Sequence, residues 1–539
     1  MNQAFCNKCD VLVPARHEER EGQIFLVKEC PQCGATDTLL SSNAASYWKK
    51  RGLDEKFRYG KCDLDCHQCQ HKEPNIIFLD LTNRCNMNCP ICINNTPAMG
   101  FQFEPPIEYF DTIFRHYAGH TPKPSVQLFG GEPTVRHDLF DIIRLARGYG
   151  LPTRLVTNGV RLADPDYCRR VIESKTTILI SYDGANEEMH RVLRASVDSL
   201  KAKQRAIENI GRIGRGKVVL MTVVARGFND RELPEMFRYC HDRRDFVRGI
   251  YFMPLAHAWN KEDFKLEAER TTTEDLEQVI CDAFPEDPVE FLPTNVLGRL
   301  PSLFRALGVH DLPFVGGHPN CESMYLLLSD GVQYRPLAHY LRITTEELVR
   351  DLLAAEERMA VKEQRLERGA WGKLLGALRL KRASLKLSAW LALARVGRRN
   401  VRINRALGPT TAGSFLRGLG LLGGMALRLK SKKLLRKFTR VQSALQIIVL
   451  PFGDKENMDT DRLQRCPAAF AYVDAKDGQV KHIPNCVWGI HKNRVLKEIT
   501  DAYAAGTFPI ARPPAATPCA GCSSKCPSAK QCPSAVGGG

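Results

Sequence analysis

NIIFLDLTNRCNMNCPICINN, residues 75 to 95, opens as a run of apolar and β-branched side chains. It breaks at Thr82-Asn83-Arg84 into a short loop carrying Cys85, Cys89 and Cys92. A run of this length ended by polar turn residues predicts a buried strand with a functional loop at its C-terminal end. Three thiolates spaced x3 and then x2 suit a cubane iron-sulfur cluster, because one tight loop reaches three of its four corner irons. The fourth iron is then open to a small chelating molecule, much as a catalytic zinc keeps one position for substrate. A closed cluster completed by a distant Cys is the competing structural reading.

Outward from that loop the pattern repeats. Apolar, β-rich runs recur at residues 76–81, 126–129, 153–156, 177–181, 218–224 and 249–253, separated by helix-length amphipathic stretches such as 137–149. Alternation of this kind predicts a parallel α/β sheet with its working residues at the C-terminal strand ends. Six strands predict a partial (β/α)6 barrel. Polar motifs sit where that rule requires: Gly130-Gly131-Glu132-Pro133 after the second strand, Thr157-Asn158-Gly159 after the third and Tyr182-Asp183-Gly184 after the fourth. Any one of them reads equally well as a turn. Four consecutive strand ends carry the argument.

The chain has 539 residues, a length that predicts several domains, and 20 Cys. No run of 18 apolar residues occurs, and the opening MNQAFCNKCD lacks the layout of a secretory signal, so a cytoplasmic protein is expected. In a reducing compartment so many thiols point to metal rather than disulfides. Cys6, Cys9, Cys30 and Cys33 form two knuckles that predict a structural zinc or a rubredoxin-type mononuclear iron. Cys62, Cys66 and Cys69 repeat the x3, x2 spacing but follow no β-run, so they are expected to hold an auxiliary cluster, with the nearby His67 and His71 as candidate fourth ligands. Cys519, Cys522, Cys526 and Cys532 lie in a Pro, Ala and Ser-rich tail where metal is the evident source of order. They predict a metal site, or one ligand lent to a cluster elsewhere. Cys168, Cys240 and Cys281 stand alone on helix-like stretches and are expected to be buried as small hydrophobes.

CNMNCPIC directly after the first strand, with GGEP after the second, resembles the radical S-adenosylmethionine (SAM) superfamily. The resemblance implies a 4Fe-4S cluster on Cys85, Cys89 and Cys92, its open iron chelated by SAM, which the reduced cluster cleaves to a 5′-deoxyadenosyl radical. It places Gly130, Gly131 and Glu132 against the methionine end of SAM, with Asn158 and Asp183 as further polar contacts. Ile91 departs from the aromatic residue most members carry there, and an apolar side chain near the adenine is implied. LTNRCNMNCPICINN, GGEPTVRHDLF, TNGVRLA, HPNCESMYLLLSDG (residues 318–331) and RCPAAFAYVDAKDGQVKHIPNC (residues 465–486) are closer to one branch, the archaeal tetraether lipid synthases and their bacterial relatives. That likeness covers roughly residues 1–345 and 445–495. It implies a second auxiliary cluster on Cys321, Cys466 and Cys486. A further Cys usual in the branch is missing from DLPFVGG ahead of His318, which leaves the fourth ligand open.

Charge is uneven. Between Arg368 and Phe452 stand 19 of the 77 Lys and Arg and no Asp or Glu, leaving 58 basic against 60 acidic residues elsewhere. The formal charge of +17 is therefore a property of one segment, and it does not argue for nucleic acid across the whole protein. Trp371, Leu374, Leu375 and Leu378 recur at helical spacing with Lys373, Arg379 and Arg382 interleaved, the composition of an in-plane membrane binder. The expected organisation is a zinc-ribbon or rubredoxin-like lobe (1–50), an auxiliary-cluster loop (51–74) and the partial barrel (75–260). An auxiliary iron-sulfur region (261–367 and 453–500) follows, interrupted by a basic insertion (368–452), and then a Cys-rich tail (501–539).

The leading functional expectation is radical chemistry on lipid hydrocarbon chains, forming a C-C bond at sp3 carbon, at the inner face of an anionic membrane. Ferredoxin or flavodoxin is expected to supply electrons. Unactivated C-H bonds offer no acid, base or electrophile, so a carbon radical is the reasonable route. The alternatives are radical methylation or modification of a pterin-like small molecule, modification of a peptide, and a non-catalytic metal-dependent nucleic-acid-binding protein. No catalytic side chain is assigned.

Overall fold

The computed structural model describes residues 2–53, 73–94, 99–256, 266, 268–309, 317–368, 380–408, 411–426 and 431–509. Cys62, Cys66 and Cys69 with His67 and His71, the four tail cysteines and the Trp371 stretch lie outside the described residues.

Four antiparallel strands form the N-terminal sheet: β1 (Gln3–Phe5), β2 (Leu12–Arg20), β3 (Gln23–Cys30) and β4 (Gly34–Ser41). It is docked on the body of the protein. Gln3 N donates to the Thr460 hydroxyl at 3.0 Å and His17 Nε2 meets the buried Asp459 carboxylate at 2.6 Å. Fully buried Lys28 reaches Asn7 and the Glu456 carbonyl.

The six expected barrel strands are present: β5 (Ile76–Asp80), β6 (Ser125–Phe129), β7 (Thr153–Thr157), β8 (Thr177–Ser181), β9 (Val218–Val224) and β10 (Val247–Pro254). All pair in parallel and in sequence order. Every residue of β5 is buried, as a strand covered on both faces requires, and this is why its sequence is a continuous apolar run rather than an alternating one. The covering helices show the complementary 3.6-residue pattern. Leu139, Ile142, Ile143 and Ala146 form the buried stripe of the helix Leu139–Gly148. Asp164 caps the next helix by accepting from the Asp166 and Tyr167 amides, with Pro165 opening its first turn.

The sheet is wider than six strands. After β11 (Leu292–Pro293), β12 (Ser323–Ser329) and β13 (Tyr334–Pro336), β14 (Ser443–Val449) pairs in parallel with β10. On the far side β15 (Ala468–Val473) pairs in parallel with β5 and is followed by β16 (Val480–Pro484). The full order is β11-β12-β14-β10-β9-β8-β7-β6-β5-β15-β16 with β13 on β12, and among the described residues no ladder joins the two ends. The barrel is thus partial, with eight parallel strands. β14 lies within the stretch assigned above to the basic insertion: the absence of acids drew that boundary, whereas SALQIIV is itself a strand-like run at the end of the basic sequence. Cys168 and Cys240 are buried on helices as expected, and half-buried Cys281 bonds the Val289 carbonyl.

Candidate functional site

The loop after β5 is held by backbone contacts to the strand end beside it. Gly131 N donates to the Thr82 carbonyl at 2.7 Å and Glu132 N to the Arg84 carbonyl at 2.8 Å, extending the β5-β6 ladder up to Cys85. Approach this close excludes a side chain. A Cβ on Gly130 would stand 2.4 Å from the Thr82 oxygen, and one on Gly131 would stand 2.2 Å from the Arg84 oxygen. Both glycines line the cavity that Cys85, Cys89 and Cys92 also line, and their steric role is to seat the cysteine loop. Burial pushes the Cys85 thiol up to about 12, a cost that iron reverses by taking the thiolate.

Glu132 is buried, and its carboxylate is engaged within the chain: by the Thr134 amide and hydroxyl at 3.0 and 2.6 Å, the Thr157 hydroxyl at 2.7 Å and the Asn158 amide at 2.7 Å. It brackets the ends of β6 and β7 together. Asn158 lines the cavity, and its amide donates to Asn86 within the cysteine loop at 2.7 Å. Asp183 behaves differently from the expectation of a cofactor contact, because its two oxygens are taken by the Arg194 fork at 2.7 and 3.0 Å and by the Val223 amide at 2.9 Å. Burial alone would raise the Asp183 carboxyl, but the guanidinium outweighs it and holds the group below the usual range. Arg194 is the side chain that lines the cavity. It and buried Lys203, which bonds the Ser181 hydroxyl at 3.1 Å, set positive charge beside Cys89. Sequence reasoning missed both, since a lone Arg or Lys on an amphipathic helix carries no spacing signal.

Across the same cavity stand Cys321, Cys466 and Cys486. Cys486 sits in the first turn of the helix Asn485–Ala504. Its sulfur accepts from the Gly453 amide at 3.3 Å, with the Arg462 guanidinium 3.9 Å away. The same helix clamps β5: Trp488 Nε1 and Lys492 Nζ donate to Asp80 at 2.7 and 3.0 Å, and Lys492 also reaches Asn94 at 3.0 Å. The two cysteine groups therefore share one rigid anchor.

The cavity between them, about 210 Å³, is walled by Phe78, Phe129, Leu179, Met221, Val223 and Leu450. Gln127, Tyr251 and Glu322 are polar residues in the same lining. Gln127 and Arg154 are register partners on β6 and β7, and Arg154 Nη2 donates to the Tyr251 hydroxyl at 3.1 Å. Gln127 Oε1 and Arg154 Nη1 are buried without a protein partner. Burial pushes the nearby Glu322 carboxyl up to about 8, against the Thr294 hydroxyl at 3.1 Å and the Arg154 charge. Gln127 and Arg154 both carry a sequence signal, a polar residue inside a strand run, SVQLF and TRLVT.

At the N-terminal sheet, the Sγ atoms of Cys6, Cys9, Cys30 and Cys33 all lie within 4.8 Å of one another, with Cys9 and Cys30 at 3.6 Å. Four thiolates about 2.3 Å from a tetrahedral ion stand about 3.8 Å apart, so the set fits a single ion. Cys30→Ser should cost the protein one zinc and lower its thermal stability. SAM cleavage should persist, as measured by metal analysis, thermal unfolding and 5′-deoxyadenosine assay.

A family model described as the radical SAM superfamily matches residues 79–240, and one described as the HMPTM N-terminal zinc ribbon domain matches residues 2–42, favouring zinc over iron at the first site. The chain is similar to the 7,8-dihydro-6-hydroxymethylpterin dimethyltransferase of Methanocaldococcus jannaschii, 31% identical over 359 residues, 63% of this chain and 70% of that one. It is also similar to the GTP 3′,8-cyclase of Paenarthrobacter nicotinovorans, 34% identical over 206 residues, 35% of this chain and 55% of that one. Among solved structures, Streptococcus suis SuiB bound to S-adenosylmethionine matches at 15% identity and a TM-score of 0.33, over 38% of this chain and 46% of that one, too slight a likeness to carry an argument. A superfamily match that begins inside β5 and ends in the helix Leu233–Asp242, with a relative aligned over 70% of its own length, leads to one conclusion: the chain belongs to the radical SAM superfamily, enzymes that work through a 4Fe-4S cluster and S-adenosylmethionine.

Proposed function

We propose that Cys85, Cys89 and Cys92 hold the SAM-cleaving cluster and that the substrate is a lipid hydrocarbon chain, joined to a second chain through sp3 carbon. The observation that carries this reading is the cavity between the two cysteine groups, whose walls are mostly apolar and include Leu255, Pro451 and Phe452. A chain lying there exchanges water for apolar contact at about 25 cal/mol per Å². When bound, the cofactor would supply 5′-deoxyadenosyl radicals, two for each C-C bond, one taking the hydrogen atom from each carbon to be joined at the cost of one electron per SAM. The protein's part is to hold the chain, exclude water and fix which carbon is nearest. Arg194, fixed by Asp183, and Asn158 are the polar side chains available to SAM, while Ile91, packed with Leu193 and Leu255, offers an apolar face. Cys321, Cys466 and Cys486 hold an auxiliary cluster in this reading, and a ferredoxin or flavodoxin supplies electrons. The described helices include none long and apolar enough to cross a membrane.

A second reading is modification of a pterin-like heterocycle. Two observations favour it: the reaction for which the Methanocaldococcus relative is named, and the unpartnered Oε1 of Gln127 in the cavity lining, which offers an acceptor to the edge of a flat ring. Anaerobic incubation of the reconstituted protein with SAM, reductant and membrane lipid extract, or with 7,8-dihydro-6-hydroxymethylpterin, followed by mass spectrometry, separates the two. A dimerised lipid product supports the first, and a methylated pterin with no lipid product replaces it.

The auxiliary assignment predicts iron beyond one cubane. The reconstituted enzyme should hold clearly more than about four irons per chain, and Cys321→Ala should remove about four while leaving uncoupled 5′-deoxyadenosine formation in place. Iron and sulfide analysis with Mössbauer spectra checks it, and a total of about four irons would remove the auxiliary clusters.

A further inference from the structure

We propose that the outward face of the helix Lys381–Asn400 docks the enzyme on an anionic lipid bilayer. The inward face of this helix is accounted for: Ala389, Ala392 and Val396 pack with Leu303, Ala355 and Met359 in a small core of their own. At about 100° per residue, Leu380, Leu387 and Leu391 stand roughly 150° round the helix from that buried stripe. They are 48%, 61% and 57% exposed. A helix packed on a soluble body carries one apolar stripe, so a second, in solvent, marks a surface that something covers. Arg395 and Arg398, both exposed, continue the outward stripe towards the helix C-terminus. Further along the same basic segment, the helix Thr411–Ala426 carries Leu416, 68% exposed, beside exposed Arg417. The Trp371 stretch singled out by sequence lies outside the described residues.

Charge decides the occupant. The segment from Arg368 to Phe452 holds 19 Lys or Arg and no acid, so a second copy of the chain would bring like charge against like. An anionic bilayer accepts both features, since its headgroups relieve the cations while the leucines insert beneath them. No exposed aromatic side chain is present among the described residues of the segment, which weakens the case for base stacking by nucleic acid. The docking surface does not depend on the substrate proposed above: vesicle binding is measured without turnover.

Flotation of the full-length reconstituted enzyme with phosphatidylglycerol or phosphatidylcholine vesicles tests it. Binding to the first and not the second is expected, weakening as salt shortens the electrostatic range to about 8 Å at physiological ionic strength. Leu387→Glu with Leu391→Glu should lower the bound fraction about tenfold or more, since two apolar side chains lose their insertion. Leu387→Ala with Leu391→Ala should lower it in the same direction without adding charge, and uncoupled SAM cleavage, unchanged in both pairs, reports that the fold is intact. Arg395→Glu with Arg398→Glu should abolish the preference for anionic vesicles. Wild-type protein that ignores phosphatidylglycerol, variants that float as wild type does, or tighter binding to RNA than to any vesicle at equal salt would each overturn the proposal.

Discussion

Cys89→Ala should abolish 5′-deoxyadenosine formation, whereas Cys66→Ala should leave uncoupled cleavage measurable in the same anaerobic assay. The two cysteines occupy identical spacings, so motif matching alone gives no reason to prefer one. Placement does. Cys89 lies on the loop that the end of β6 seats through the Gly131 and Glu132 amides, and it lines an apolar cavity. Arg194 and Lys203 set positive charge beside it. Burial raises the Cys89 thiol on balance, and these two cations reduce that rise. Removing that thiolate leaves two ligands on a cluster whose fourth iron is already open to SAM, and an incompletely held cubane is lost. Cleavage that survives in Cys89→Ala but vanishes in Cys66→Ala would reverse the assignment.

Gly131→Ala should be nearly as damaging, although it touches no metal ligand. The added methyl would stand 2.2 Å from the Arg84 carbonyl oxygen and 2.9 Å from the Asn83 carbonyl carbon, all of it backbone. Backbone on both sides cannot rotate away as a side chain would, so the strand end and the cysteine loop must separate. Overpacking of this kind costs about 3 kcal/mol or more, concentrated on the one loop that carries Cys85 to Cys92. The expected outcome is loss of iron from that loop and of SAM cleavage, while zinc at the N-terminal site stays at one per chain. An alanine variant with wild-type iron content and cleavage would show that the loop is not seated by this contact. Gly148, with nothing near its added methyl, is the control position: Gly148→Ala should be silent in both measurements.

The barrel is legible in the sequence because its strands are buried on both faces and so read as uninterrupted apolar runs, such as VVLMTVV in β9 and IIFLD in β5. The strand-end motifs are legible for the same reason, since a polar residue is conspicuous where such a run stops. What escapes is whatever depends on contacts distant in sequence. β15 begins two residues after Cys466, and its partner β5 lies nearly four hundred residues earlier. Nothing local distinguishes AAFAYV from a separate small sheet. Asp183 is visible as a strand-end acid, but its pairing with Arg194 is not, and so the cavity-facing charge is Arg194 rather than the carboxylate. Glu132 is visible within GGEP, while the four donors that consume its carboxylate come from Thr134, Thr157 and Asn158. The outward stripe of the helix Lys381–Asn400 escapes because Leu387 and Leu391 and the buried Ala389 and Ala392 look alike until packing shows which face is covered.

The most direct measurement follows the hydrogen atom. Anaerobic turnover of the reconstituted enzyme with SAM, reductant and a lipid whose hydrocarbon chains are perdeuterated, in phosphatidylglycerol vesicles, should yield 5′-deoxyadenosine carrying one deuterium, seen by mass spectrometry. Deuterium should appear together with a lipid product that has lost it. Unlabelled 5′-deoxyadenosine from the lipid, with deuterium transferred only when 7,8-dihydro-6-hydroxymethylpterin labelled at carbon is supplied, would contradict the lipid reading and leave the cavity to the heterocycle.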